Sequence, residues 1–169
     1  MTLRVRPAVP DDLPAIAEAK MAAGLAAWPH ILPTSTLGRL AMPDRWLEIV
    51  HHPGPRSTFL VAELDGSVVG FAVLRPSGDG DAAPTTGELD GFYTAPAAWG
   101  RGAGRALMRA GLERLRDFGF SDATLWTAAE NHRPRRIYEQ AGWHPDGTVR
   151  HRTFDDVEFA EVRYRIGVG

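Results

Sequence analysis

The stretch Ala98-Trp99-Gly100-Arg101-Gly102-Ala103-Gly104-Arg105-Ala106-Leu107-Met108 places three alternating glycines directly before an amphipathic helix. Glycine removes side chains where a backbone must bend sharply, and it lets a ligand approach the main-chain N–H groups closely. The first N–H groups of a helix are unpaired and lie at the positive end of its dipole, so they favour a phosphate. The stretch therefore predicts a phosphate-binding turn, although glycine-rich turns also serve as plain connectors.

The spacing of these glycines excludes two common phosphate loops. The dinucleotide fingerprint G-x-G-x-x-G fails, because its sixth position is Arg105 when counted from Gly100 and Leu107 when counted from Gly102. A P-loop needs Gly-Lys-Ser or Gly-Lys-Thr, and neither follows. What remains is a pyrophosphate cradle of another kind, built on the amides of residues 101 to 105. A nucleotide-binding oxidoreductase is accordingly disfavoured.

The composition is that of a folded globular protein. The chain has 169 residues, of which 44% are hydrophobic and 24% charged, and this length suits a single domain over residues 1–169. No apolar run approaches the ~18 residues of a transmembrane helix. The first residues carry no apolar signal segment. We therefore expect a cytoplasmic protein that does not associate with membranes.

Charge and missing residue types narrow the chemistry. A formal net charge of -2 gives no reason to expect nucleic-acid binding. The chain has no cysteine, which excludes disulfides, thiolate zinc sites and a cysteine that carries an acyl group. The histidines show no metal-ligand spacing, so we expect no metal. If the protein transfers an acyl group, we expect the group to pass directly from donor to acceptor.

The order of predicted elements indicates a mixed sheet with helices. A strand and a helix come first, and then Asp65-Gly66 between two β-rich runs gives a strong hairpin signal. A further strand at residues 88–94 enters the glycine turn, and the helix after the turn ends near Gly119. A strand, a helix and two strands complete the chain. Residues 22–57, with a helix around Trp46, we expect to form one wall of an acceptor pocket.

Two motifs resemble the GCN5-related N-acetyltransferases, the GNAT family. Trp99-x-x-Gly102-x-Gly104 resembles the family's acetyl-coenzyme A loop, Gln/Arg-x-x-Gly-x-Gly/Ala, except that Trp99 replaces the Gln or Arg. The stretch from Asn131 to Trp143 resembles the family's Asn-x-x-Ala-x-x-x-Tyr-x-x-x-Gly-Phe. The resemblance implies an α/β fold of α+β type, with a mixed, mostly antiparallel sheet of six to seven strands and about four helices. It also implies acetyl-coenzyme A as co-substrate, and a homodimer is expected because dimers are common in the family.

The resemblance assigns the cofactor to residues on both sides of the glycine turn. Gly91 in mid-strand predicts a bulge or a close backbone approach, and in the family the strand splays at this point to bind the pantetheine arm. The Phe92 amide is then the candidate that polarises the acetyl carbonyl. The predicted cofactor-binding residues are Phe92, Tyr93, Thr94, Gly100, Arg101, Gly102, Ala103, Gly104, Arg105 and Asn131.

Acetyl transfer to an amine also needs a proton acceptor and a proton donor. A lysine-like amine has a reference pKa near ~10.4 and is mostly protonated at neutral pH. Glu88 occupies the position at which several family members carry their general base. Asp90 or water could be the base instead, and Glu88 could be a solvated carboxylate at a strand start with no catalytic role. Tyr138 lies two helical turns after Asn131, and so on the same helix face. It is the candidate that protonates the departing sulfur, the alternative being a tyrosine of the core.

The acceptor cannot be identified from the sequence, although its acidic residues suggest a class. Four of them suggest a cationic small amine or a peptide amine: Asp79, Asp81, Glu88 and Asp90. The sequence thus predicts an N-acetyltransferase that moves an acetyl group from acetyl-coenzyme A to a primary amine by direct attack in a ternary complex. The alternative is a non-catalytic acyl-coenzyme A binding or regulatory module on the same fold.

Overall fold

A computed structural model describes residues 1–37 and 41–169 of the chain. The strands are β1 Leu3–Pro7, β2 Thr58–Leu64, β3 Ser67–Pro76, β4 Thr86–Thr94, β5 Asp122–Ala128, β6 His144–Phe154 and β7 Val157–Gly167. The helices are α1 Leu13–Ala27, α2 Thr34–Leu37, α3 Asp44–His51, α4 Ala103–Asp117 and α5 His132–Gln140. Residues 38–40, inside the segment expected to wall the pocket, lie outside the described residues. The predicted mixed sheet with helices is confirmed.

All seven strands join one sheet in the order β1-β2-β3-β4-β5-β7-β6. Every neighbouring pair is antiparallel except β4 and β5, which run parallel. The predicted hairpin turn lies between β2 and β3, where Asp65 and Gly66 have φ values of 51° and 84°. Two consecutive positive φ values are typical of a type I′ turn, which matches the twist of the strands it joins. The hairpin prediction is therefore confirmed.

Strand β4 contains the bulge that its mid-strand glycine predicts. Val73 pairs with Gly91 and Leu74 pairs with Leu89, so that no residue of β3 lies opposite Asp90 in the strand ladder. Gly91 is also a place of close approach, because a Cβ there would lie 2.6 Å from Cζ2 of Trp46. An extra residue in one strand bends that strand and re-aims its side chains. The bulge thus turns the second half of β4 away from its regular course.

The parallel pair β4 and β5 opens after three residues. Thr86, Gly87 and Glu88 pair with Asp122, Ala123 and Thr124, and the described residues show no further pairing between these strands. Beyond Glu88 the two strands splay apart, and β5 continues its ladder with β7 instead. The splay that the family resemblance implies is present, and Glu88 stands at its apex.

Two hydrophobic cores hold the sheet between layers of helices. On one face α1 and α3 cover the strands with a cluster of Ile16, Trp46, Ile49, Val50, Phe59, Val61, Phe71 and Val73. On the other face α4 and α5 contribute to a larger cluster that includes Leu107, Leu115, Tyr138 and Trp143. Because the apolar side chains of β2 and β3 alternate between the two cores, both faces of the central strands are buried. None of the described helices is long and apolar enough to cross a membrane.

Candidate active site

A cleft of about 660 Å³ runs from the splay of β4 and β5 to the helices on the other side of the sheet. Its first part, which we call the cofactor half, is lined by the second half of β4, by Trp99 and by the start of α5. Its second part, the acceptor half, is lined by side chains of α1, α3, β3, β5, β6 and β7. Glu88 and Tyr138 both line the cleft. The cleft can therefore hold two ligands side by side.

At the splayed edge of β4, the main chain of two residues, Phe92 and Thr94, faces the cofactor half. Ala95 N–H donates to the carbonyl of Val69 at 2.7 Å. Hydrogen-bonded pairs alternate with non-bonded pairs along an antiparallel ladder, so Tyr93, opposite Phe71, falls in a bonded pair with β3. Phe92 and Thr94 consequently turn their N–H and C=O groups away from β3, toward the gap beside β5. Of the three residues predicted to bind pantetheine, these two offer free amides, whereas the backbone of Tyr93 is committed to β3.

The glycine turn presents a second set of amides. Gly100 and Gly102 have φ values of 74° and 91°, in the left-handed region that glycine adopts without strain. Arg101 N–H already donates to the carbonyl of Ala98 at 3.2 Å, so it is not available to a ligand. Ala106 N–H bonds to Gly102 O at 3.0 Å. The four N–H groups of residues 102–105 donate to no backbone carbonyl among the described residues, and they form the cradle at the start of α4.

Trp99 occupies the position of the family's Gln or Arg, and it makes two contacts of its own. Its indole Nε1 donates to the carbonyl of Thr94 at 3.0 Å, which ties the glycine turn to the end of β4. The guanidinium of Arg133 lies 3.8 Å from the centroid of the Trp99 ring. This stacking holds a cation at the mouth of the cofactor half. The sequence left open whether Arg133 and Arg135 form a solvated face or bind the nucleotide phosphates. Unlike Arg133, Arg135 donates to Tyr164 Oη at 2.9 Å and is partly buried.

Tyr138 is buried between the two halves, with 7% of its surface exposed. Its ring lies 6.0 Å from that of Phe92 in an edge-to-face arrangement. The described residues include no hydrogen-bond partner for its hydroxyl, and burial raises the pKa of the phenol above its ordinary value. Asn131, at the start of α5, is also buried and lines the same cleft. The phenol therefore stays protonated at neutral pH and is free to donate into the cleft.

Glu88 is the least satisfied carboxylate of the site. Its side chain is buried, with 4% of the residue exposed. Burial raises the pKa of Glu88 to about 7, although the positive charge of Arg75 acts to lower it. Arg75 Nη2 lies 2.9 Å from Glu88 Oε2, but the approach is not aligned as a hydrogen bond. Oε2 and the hydroxyl of Thr124, its cross-strand neighbour, are buried without hydrogen-bond partners in the described part of the chain. Such a group can take a proton near neutral pH.

Asp90 is in the opposite condition, because its side chain is fully bonded. Arg45 Nε and Nη2 donate to its two oxygens at 2.6 and 2.9 Å, Trp46 Nε1 donates at 2.8 Å, and Arg75 Nε donates at 2.9 Å. Burial acts to raise its pKa, but these hydrogen bonds and charges lower it below the ordinary value. Asp90 therefore remains ionised and anchors α3 to β4, a structural role rather than that of a base.

Two further acidic residues expected to attract a cationic acceptor are also bound to an arginine of the fold. Asp79 and Asp81 both bind the guanidinium of Arg163, whose side chain is 5% exposed, at 3.1 and 2.7 Å. Asp79 also accepts a hydrogen bond from Trp126 Nε1 at 2.9 Å. These contacts fasten the loop between β3 and β4 over the sheet. The acidic residues thus serve the fold, and they do not form a free anionic surface.

The acceptor half contains residues that the sequence reasoning missed. Arg150 of β6 lies 4.0 Å from the centroid of the Trp126 ring and donates to Glu161 of β7 at 2.8 Å. Arg152 lies 3.8 Å from the same carboxylate. The sequence held one local signal for this pairing, the turn residues Asp155-Asp156. With φ values of 46° and 64° they form a tight turn that fixes the register of the β6–β7 hairpin and so places Arg150 opposite Glu161. The described residues hold no cluster of three or more side chains suited to bind a metal.

Comparisons with known proteins decide the family. The sequence model of the Acetyltransferase (GNAT) family matches residues 23–143, which span the α3 helix, the splayed strands, the glycine turn and α5. The chain belongs to the GNAT family. The predictions of the family and of its fold are thereby confirmed.

Individual relatives agree with this assignment. A mycothiol acetyltransferase of Sanguibacter keddieii is 36% identical over 107 residues, which cover 63% of this chain and 34% of that protein. A probable N-acetyltransferase of Mycobacterium tuberculosis is 28% identical over 97% of this chain and 93% of its own length. The chain thus spans about a third of the first relative and nearly all of the second.

A solved structure shows the same fold. The acetyltransferase yncA of Salmonella typhimurium, determined with its cofactor acetyl-coenzyme A, superposes with a TM-score of 0.74 at 17% identity and covers all of this chain and 95% of that one. At this identity the likeness concerns the fold alone.

Proposed function

We propose that this GNAT protein transfers an acetyl group from acetyl-coenzyme A to a primary amine by direct attack, with both substrates bound in the cleft. The observation that carries the proposal is Glu88, a buried carboxylate at the apex of the splay, whose Oε2 accepts no hydrogen bond from the described residues although Arg75 lies 2.9 Å away. A purely structural carboxylate in such a place would be bonded as Asp90 is. The absence of cysteine from the chain leaves no thiol to carry the acetyl group between two half-reactions.

The residues of the cofactor half fit acetyl-coenzyme A. Free amides at residues 102–105 suit a pyrophosphate, and the free N–H groups of Phe92 and Thr94 suit the amides and carbonyls of a pantetheine arm. One helix N-terminus contributes roughly 0.3–1 kcal/mol when exposed, whereas micromolar binding needs about 8 kcal/mol. Affinity therefore has to come from the turn and the strand edge together, with Arg133 adding a cation beside Trp99.

When bound, acetyl-coenzyme A supplies an activated acetyl group as a thioester. Glu88 accepts a proton from the acceptor's ammonium, directly or through one water, and leaves the amine neutral for attack. The Phe92 N–H donates to the acetyl carbonyl oxygen as negative charge develops there. As the C–S bond breaks, Tyr138 donates its phenolic proton to the departing sulfur, and it regains a proton from the acceptor nitrogen, which loses its second proton to become the amide. All three residues line the cleft, and neither the Phe92 N–H nor the Tyr138 hydroxyl donates a hydrogen bond to the described residues.

The experiment that tests this function is an assay of free thiol release by the purified protein, with acetyl-coenzyme A and a panel of primary amines. We expect amine-dependent release and an acetylated product in the mass spectrum. Glu88→Gln and Tyr138→Phe should lower turnover while calorimetry shows nearly unchanged coenzyme A affinity. Thiol release with none of the amines, combined with intact coenzyme A binding, would instead favour the non-catalytic binding module.

Other expectations remain predictions. They are the single domain over residues 1–169, the cytoplasmic location, the homodimer, and the absence of nucleic-acid, membrane and metal partners. Molar mass by light scattering tests the homodimer directly. A mass close to 18.4 kDa, that of one chain, would contradict it.

A further inference from the structure

The acceptor half carries an excess of positive charge. Among the described residues that line it, the cationic side chains are Lys20, Arg45, Arg75, Arg150 and Arg152, and the carboxylates are Asp79, Glu88, Asp90 and Glu161. Asp79 binds Arg163 outside this set, and Arg163 also binds Asp81 and Asp146. Since Glu88 has a pKa of about 7, it is protonated about half of the time at neutral pH. The carboxylates of the acceptor half therefore do not offer free negative charge to a cationic acceptor.

The excess is concentrated around Glu161. This carboxylate lies between two arginines, at 2.8 Å from Arg150 Nε and 3.8 Å from Arg152 Nη1. One carboxylate can compensate only one of the two guanidinium charges. Arg150 is held in place by its stacking on Trp126, whereas Arg152 has no hydrogen bond within the described residues and is 52% exposed. The N–H groups of Arg152 are thus available to a ligand in the cleft.

This arginine pair lies on the same side of the sheet as the proposed base. Thr124 pairs with Glu88 across the parallel ladder, and Trp126 follows two residues later, so its side chain points to the same face. Two residues of strand span about 7 Å. Along β5, Trp126 therefore follows the apex of the splay by about the length of a small amine that also carries an anionic group.

Aromatic side chains line the space near these charges. Trp28 of α1 and Phe159 of β7 meet edge to face, with ring centroids 5.7 Å apart. Both line the cleft, as does Trp126. Apolar walls lower the local dielectric and strengthen a guanidinium–anion hydrogen bond formed between them. An acceptor with an apolar body and an anionic end is the chemistry that these surroundings suit.

On the basis of the proposed function, we infer that the acceptor is a primary amine that also bears an anionic group, a carboxylate or a phosphate, bound by Arg150 and Arg152. Its amine then faces Glu88. An arginine fork binds either anion by two parallel N–H···O bonds. The acidic residues that suggested a cationic acceptor do not oppose this, because Asp79, Asp81 and Asp90 are bonded to arginines of the fold.

Matched amines test the inference. The carboxylate arm compares L-phenylalanine with phenethylamine, and the phosphate arm compares O-phosphoethanolamine with ethanolamine. In at least one arm the anionic member should have a kcat/KM higher by about tenfold or more, the value of one or two hydrogen bonds to a charged group. Arg152→Gln should remove this preference by raising the KM of the anionic member. Equal or better turnover of the uncharged members in both arms would overturn the inference.

A control variant and a second readout separate this inference from the proposed function. Arg109→Gln removes the same charge from the exposed face of α4, outside the cleft, and should leave the preference intact. Calorimetry with N-acetyl-L-phenylalanine and N-acetylphenethylamine needs no turnover. If no amine is acetylated, the proposed function fails, and the calorimetric preference for the carboxylate and its loss in Arg152→Gln still decide the inference. Turnover of amines without any anion preference overturns the inference alone.

Discussion

The two halves of the cleft are built from different parts of the chain. The cofactor half offers main-chain groups at the splayed edge of β4, Phe92 and Thr94, and the free amides of residues 102–105 lie at the start of α4, outside the residues that line the cleft. The acceptor half offers side chains, in which Asp90 and Glu161 are each held between two arginines. Glu88 and Tyr138 lie where the halves meet.

The difference explains how one fold keeps one cofactor while its acceptors vary. Main-chain donors depend on backbone conformation, and few substitutions other than those of the glycines and the bulge disturb them. Side-chain donors change with every substitution, so we expect the acceptor half to determine specificity. Variants of the two halves should therefore fail in different ways.

The largest effect is expected at the junction. Glu88→Gln keeps the shape of the side chain but removes the base, so kcat should fall by about 10²–10⁴-fold, the range of general base catalysis. Coenzyme A affinity, measured by calorimetry, should stay within about twofold because the cofactor half is untouched. Wild-type kcat/KM should fall tenfold per pH unit below about pH 7, where Glu88 takes up a proton. A variant with wild-type kcat would remove Glu88 from the mechanism.

The second largest effect should appear at Asp90, as a loss of stability. Asp90→Asn removes the carboxylate that Arg45 and Arg75 share, although the Arg45 side chain is half-exposed and Arg75 keeps its ion pair with Glu88. The loss of stability should therefore be about 2–3 kcal/mol, at the lower end of the range for a fully buried pair. Urea unfolding followed by tryptophan fluorescence measures the loss. If Asp90→Asn unfolds like the wild type and instead loses turnover as Glu88→Gln does, the roles of the two carboxylates are reversed.

A third effect links the base to stability through pH. Burial raises the pKa of Glu88 from 4.5 to about 7, with Arg75 and Arg45 acting against the shift and Asp90 and Asp79 adding to it. Folding therefore loses free energy as the pH rises from about 4.5 to about 7, up to about 3 kcal/mol.

Unfolding curves of Glu88→Gln and wild type check this linkage. Glu88→Gln lacks the group that is costly to ionise, so its stability relative to wild type should be equal at pH 4 and highest at pH 8. A constant difference in stability across this range would show that the pKa of Glu88 is not raised in the folded protein.

The smallest effect belongs to the glycine turn. Gly102→Ala places a Cβ on a residue with a φ of 91°, which costs about 1 kcal/mol of conformational strain. The strain should raise the coenzyme A Kd severalfold by moving the amides of the cradle. Gly119→Ala is the matched control, since Gly119 has a φ of 85° after the far end of α4. Equal losses of coenzyme A affinity in both variants would contradict a cradle at residues 102–105.

Several backbone features could be predicted from the sequence because they are local. Positive φ values at Gly100 and Gly102, the bulge beside Gly91 and the hairpin at Asp65-Gly66 each follow from a few adjacent residues. The unavailable amide of Arg101 was missed, because its bond to Ala98 depends on the short helical turn before it.

The acceptor half was less predictable because its contacts join distant segments. Asp90 meets Arg45 across 45 residues, and Asp81 meets Arg163 across 82. Sequence alone shows that acids and arginines are present but not how they pair. The excess of positive charge in the cleft is visible only after these pairs are assigned.

Initial-rate kinetics with both substrates varied test the central claim most directly. If both halves of the cleft fill before Glu88 acts, double-reciprocal plots at several fixed amine concentrations should intersect, and no free thiol should appear without the amine. Parallel lines, or a burst of thiol before the amine is added, would mean that the acetyl group rests on the protein between two half-reactions, and a shared cleft would not be the working arrangement.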